Sequence, residues 1–127
     1  MHHIQIVSYG TGHPLPPPPA HIVYNLAEHY RDPHRDPRMR QMTGRDELVR
    51  SRVLTTAGVP ELLDAAEAAA LAYLAGPVSA PLVIAFACVG GRHRSVVAAD
   101  ELAERLAAHG VAVTVHHRDI DRAVIDR

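Results

Sequence analysis

The residues with the most chemical capacity in this 127-residue chain stand together, in Cys88-Val89-Gly90-Gly91-Arg92-His93-Arg94-Ser95. They follow an apolar run, Pro81 to Cys88, and precede an amphipathic stretch that opens at Val96. A strand, a glycine turn and a helix start in that order suit an anion. Adjacent glycines put no Cβ between the turning N–H groups and a guest, and the first helical turn adds unpaired donors and the positive end of its dipole. Arg94 brings a rigid fork of donors and His93 a titratable one. The expected guest is a phosphate, bound by Cys88, Val89, Gly90, Gly91, His93, Arg94 and Ser95, with the loop histidines His13 and His34 as further candidates.

The same eight residues admit a second chemistry. Cys88 to Arg94 is a C-x5-R spacing followed by Ser95, the pattern of cysteine-dependent phosphatases, in which loop amides and a helix dipole depress the thiol pKa and the thiolate attacks phosphorus. Asp32 or Asp36 would then serve as general acid. In the plainer reading Cys88 is a small apolar residue closing a buried strand, and Arg94 pairs with an acid on a neighbouring helix. Ten histidines invite a metal, yet none has a spacing such as H-E-x-x-H and the single cysteine has no second one, so neither a metal nor a cofactor is expected.

Composition excludes other classes. All 13 basic residues are arginine, so a Schiff-base lysine and the lysine of a Walker-type phosphate loop are both absent. Against 14 acidic residues the net charge is −1, which gives no general attraction to nucleic acid or an anionic membrane. Seven arginines do gather between Arg31 and Arg52, as an RNA-contacting patch would, or with Arg38 and Arg40 reaching over the ligand. With one phenylalanine, four tyrosines and no tryptophan there is little to stack on bases. One cysteine, no export leader and no apolar stretch near the roughly 18 residues of a membrane span make a cytoplasmic protein the expectation.

The elements that must position these residues follow from pattern. Ile4 to Tyr9 reads as a strand stopped by glycine, Pro14 to Pro19 as a rigid surface loop, and His21 to Leu26 as a second strand. An irregular loop from Arg31 to Gly44 contains two Asp-Pro pairs. From Asp46 to Gly76 the pattern is helical, broken near Gly58-Val59-Pro60, with Leu63, Ala66, Ala70 and Leu74 on one face. Pro81 to Cys88 is apolar throughout, as a central strand covered on both faces would be. Ala99, Leu102, Ala103 and Leu106 mark the buried stripe of the next helix, which should end at His109-Gly110, and Val111 to Val115 returns as a parallel strand. The expected fold is a single α/β domain over residues 1–127, a small, mostly parallel sheet flanked by helices, with its ligand at the strands' carboxyl ends.

Ser8-Tyr9-Gly10 with His13, His34, Asp36-Pro37, Met42-Thr43-Gly44 with Asp46, the Cys88 to Ser95 block, and His117-Arg118-Asp119 together resemble the C-terminal domain of the RapZ family of RNase adapter proteins. The resemblance runs in order from about Ser8 to about Ile120. It implies a compact domain that holds a phosphorylated sugar or nucleotide-sugar-like metabolite, with His34, Cys88, Gly90, Gly91, His93, Arg94 and Ser95 around it. In some relatives it implies RNA and protein partners as well, and self-association. Val89 replaces the family's usual threonine, no lysine-rich tail follows, and the nucleotide-binding domain of relatives lies outside this sequence, so a stand-alone sensor or adapter domain is expected rather than an ATPase.

Overall fold

The computed structural model describes residues 3–126. In chain order it contains strand β1 (His3–Gly10), strand β2 (Ile22–Asn25), helix α1 (Glu47–Leu54), helix α2 (Val59–Leu74), strand β3 (Leu82–Cys88), helix α3 (Arg94–Ala107) and strand β4 (Ala112–His117), with one 3-10 turn at Pro33–Arg35. The strands form one sheet in the order β2-β3-β1-β4, and every pairing is parallel. The apolar run from Leu82 is central, as expected. Gly10 lies beside Cys88 and Ser8 beside His117, so the carboxyl ends of the strands meet at one edge.

The period-two alternation of the strands sorts the core into two unequal layers. Ile4, Ile6, Leu82, Ile84 and Phe86 face the helices, joining Val49, Val53, Leu63, Ala66, Val97, Leu102 and Leu106 in one buried cluster. Tyr9, Ala85 and Ala87 face the other way and are met by Ala20. The crossover rule explains this asymmetry. The connections β2 to β3 and β3 to β4 both advance along the sheet in one direction, so right-handed crossovers place all three helices on one face. The connection from β1 to β2 runs backwards across β3 and must use the opposite face. That connection is the proline-rich segment, too rich in proline to form a helix, and it covers the second face with a loop.

Helix α2 begins after Gly58, which holds φ +91°, and places Pro60 in its first turn as the sequence predicts. Leu63, Ala66 and Ala70 are buried, while Leu74 and Ala103 are only partly so. The end of α3 corrects the expectation. The helix stops at Ala107 instead of His109-Gly110, because the amides of His109 and Gly110 turn back onto the carbonyls of Leu106 and Ala107. Gly110 still reverses the chain at φ +78°, and His109 contacts Glu67 of α2 at 2.8 Å. At the end of β4, His117 Nδ1 lies 2.6 Å from Ser8 Oγ and Nε2 lies 2.9 Å from Asp100 Oδ1, fastening the strand to β1 and α3. No helix among the described residues is long and apolar enough to cross a membrane.

Candidate functional site

The glycine turn sits at the carboxyl edge of the sheet, and its glycines have a packing reason. Gly91 adopts φ +71°, and a Cβ there would stand 2.6 Å from Gly10 N and 2.9 Å from Asp119 Cβ. A Cβ on Gly10 would stand 2.5 Å from the carbonyl carbon of Gly90. The turn and the end of β1 therefore touch backbone to backbone. Most of its carbonyls are engaged. Thr11 N donates to Cys88 O, Gly12 N to Val89 O, Gly44 N to Arg92 O, and the His13 imidazole to Gly90 O at 3.0 Å. The amides of Gly90 to Ser95 have no acceptor among the described residues, and His93 caps α3 without a side-chain hydrogen bond.

The side chains of the turn bind other loops. Arg92 donates to the carbonyls of Gln41, Ile120 and Arg122. His93 Nε2 lies 2.7 Å from Met42 O, and burial holds its pKa below the ordinary 6.5, outweighing that hydrogen bond. Asp119 is fully buried beneath Gly10, whose N–H it accepts at 2.8 Å. Burial pushes its carboxyl up, but hydrogen bonds from Arg118, Gly10 and Arg122 win and hold it below the usual carboxylate range.

Arg94 binds the chain beyond the turn. Its guanidinium is 1% exposed and enters the loop after β2, where Nη1 donates to the carbonyls of Leu26, Ala27 and Tyr30 at 2.8, 3.0 and 2.9 Å. Nη2 stands 3.2 Å from Asp32 Oδ2, while Nε is buried with no partner among the described residues. The acid is thus a loop residue, 62 positions earlier in the chain, and not one on a neighbouring helix. Asp32 holds two structures at once: its other oxygen accepts from His34 N at 3.0 Å and starts the 3-10 turn, with Pro33 at its first position.

Around this wrapped guanidinium the loop leaves a cleft of about 530 Å³, lined by Ala27 to Asp32, His34, Arg35 and Arg94. The candidates from the sequence therefore divide. His34 and Arg94 border the cleft; Cys88, Val89, Gly90, Gly91, His93 and Ser95, with His13, lie in or against the turn and do not. Arg31 and Arg35 border it too, and among the described residues neither has a carboxylate within ion-pair distance. Both stand within the arginine-rich segment from Arg31 to Arg52, where no local pattern connects them to Arg94; the available signal is Asp32-Pro33, a capping aspartate before a proline, which marks a fixed turn.

The phosphatase geometry is not assembled. Cys88 Sγ does lie 3.1 Å from Ser95 Oγ, but the thiol is 2% exposed and the arginine that would clamp the phosphate is held by carbonyls and Asp32. Neither acid is poised to give a proton: Asp32 faces Arg94, and the Arg38 side chain, 2.9 Å from Asp36, holds that carboxyl at about 2. Arg40 donates to His34 O and braces the 3-10 turn. Among the described residues no three His, Cys, Asp or Glu side chains gather as a metal site.

An all-parallel sheet with helices on one face and a cleft at the strands' carboxyl edge defines a small α/β domain with one candidate ligand site. Residues 2–121 match the RapZ C-terminal domain, and the chain belongs to that family. It is 47% identical over 96 residues to a nucleotide-binding protein of Frankia alni, covering 72% of this chain and 32% of the relative. A nucleotide-binding protein of Thermobifida fusca is 37% identical over 120 residues, 92% of this chain and 40% of the relative. One from Bifidobacterium adolescentis is 40% identical over 93 residues, 71% of this chain and 30% of the relative. The chain spans roughly a third of the length of these relatives.

Proposed function

We propose that this domain senses a small phosphorylated metabolite, a sugar phosphate or a nucleotide-like compound, bound in the cleft between the loop after β2 and the start of α3. The observation that carries the reading is the pair Arg31 and Arg35 on the rim, cations without carboxylate partners among the described residues, above His34 and the wrapped Arg94. Glu28 and Asp32 line the same cleft, but Asp32 is taken by Arg94, so three guanidinium groups face two carboxylates and a bound anion would offset the charge left over.

In this reading the glycine turn is the scaffold that anchors Arg94, and Cys88 performs no chemistry. Occupancy would stiffen the loop from Leu26 to Asp36 and present it to a protein partner or a second copy, which is how the domain would act as an adapter. Calorimetric titration with glucose 6-phosphate, with glucose as the uncharged control, tests it. Binding of the phosphate ester alone, weakening as salt rises, is the expected result. Equal behaviour of the two compounds overturns it, as would hydrolysis of an aryl phosphate that Cys88→Ser abolishes.

A further inference from the structure

Beside the cleft already described lies another, of about 560 Å³, lined by His29, Arg31, Arg52, Thr55, Thr56 and Ala57. His29 and Arg31 belong to both, so the two clefts meet at these side chains. Resting on the reading above, we infer that the ligand carries two anionic groups on a polyhydroxylated body, the second seated in this neighbouring cleft between Arg31 and Arg52; a sugar bisphosphate is the simplest such compound.

The charge pattern supports it. Arg31 has no carboxylate within ion-pair distance among the described residues. Among the described residues Arg52 has only Asp36, at 3.8 Å, and Asp36 is held more closely by Arg38 at 2.9 Å. One carboxylate shared by two guanidinium groups leaves positive charge over on the Arg52 side.

The end of α1 is prepared for an anion it would otherwise repel. Carbonyls at a helix C-terminus carry partial negative charge. Here those of Ser51 and Arg52 are covered by the hydroxyls of Thr55 and Thr56, each donating at 2.8 Å. With their protons so directed, the two hydroxyl oxygens keep lone pairs to accept from sugar hydroxyls.

The test compares glucose 6-phosphate with glucose 1,6-bisphosphate by calorimetry on the whole chain. The bisphosphate should bind on the order of tenfold more tightly, as one added charge-assisted contact would give. Arg52→Ala should remove that preference while leaving glucose 6-phosphate affinity unchanged. Arg45→Ala removes the same charge from an exposed arginine outside both clefts and should leave the preference intact. Equal affinities in the parent protein, or a preference that survives Arg52→Ala, overturn the inference and leave the first cleft standing. If neither ester binds, the reading of the first cleft falls, and this one with it.

Discussion

Two basic segments lie close together in this domain and are built in opposite ways. In the turn from Cys88 to Ser95, Arg92, His93 and Arg94 all reach protein carbonyls, and the backbone is locked against β1 at contact distance. In the loop from Ala27 to Arg35, Arg31 and Arg35 have no acid partner among the described residues and border open clefts. In the function proposed above, the segment with the denser motif is the framework and the less regular one offers charge to a guest. A motif can be dense because its residues must pack, as well as because they must react.

Arg94 is the point at which the two segments join, so its removal separates them most severely. Arg94→Ala should destabilise the fold by about 3–5 kcal/mol, because Asp32 and three carbonyls lose a buried cation at once. Chemical denaturation measures this directly. A cost below about 1 kcal/mol, the level of an ordinary exposed pair, would mean that the loop is not organised around this side chain.

Next comes the glycine contact. Gly91→Ala combines a left-handed backbone with a Cβ 2.6 Å from Gly10 N, and the close approach is to backbone, which cannot swing aside. A loss of about 2–4 kcal/mol is expected from strain and displacement together. Gly110→Ala provides the sharper comparison, since Gly110 has a similar φ of +78° but nothing among the described residues within 4 Å of the added methyl. It should lose only about 1–2 kcal/mol, the cost of backbone conformation alone. Equal losses at the two sites would show that the contact with β1 contributes nothing.

How far the sequence reveals this architecture depends on the range of the interactions involved. Strand β3, the glycine turn and α3 were legible because an apolar run, adjacent glycines and a helical stripe are local patterns. The break between α1 and α2 was legible from Gly58 and Pro60 for the same reason. The direction of Arg94 was not, since its partner is Asp32, in a loop whose path is decided by tertiary packing. The role of the glycines was half legible: the need for φ above zero at Gly91 is local, but the approach of Gly10 and Asp119 arises only once β1 and β3 pair. Nor could the exposed state of Arg31 and Arg35 be read off, because it depends on where every carboxylate of the chain comes to lie.

A smaller effect is expected from pH, and it belongs to the turn. His93 has its pKa lowered by burial, so as pH falls below 6.5 the unfolded chain takes up a proton before the folded one does. Stability should therefore decline as pH drops from about 7 toward the lowered folded value, with a slope of at most about 1.4 kcal/mol per pH unit from this one group. His93→Gln, which can still donate to Met42 O, should flatten that portion of the profile. The contribution of Asp36 appears elsewhere: its carboxyl is lowered from 3.8 to about 2, so the stability it adds is present above 3.8 and is lost as pH falls through about 2. A decline between pH 7 and 5 that persists unchanged in His93→Gln would assign it to another group.

The least costly change to the fold should be the most damaging to binding. Arg35→Ala removes a side chain from an exposed position with no ion pair among the described residues, so stability should move by less than about 0.5 kcal/mol. Affinity for glucose 6-phosphate should nevertheless fall on the order of tenfold, since one charge-assisted hydrogen bond to a phosphate is worth about 1.5–3 kcal/mol. Arg35→Lys keeps the charge but loses the planar fork, and should recover only part of the affinity. Unfolding curves and titrations on the same three proteins put both quantities side by side. Loss of stability without loss of affinity would reverse the roles given to the two segments, making the arginine-rich loop the framework and returning the glycine turn to the ligand.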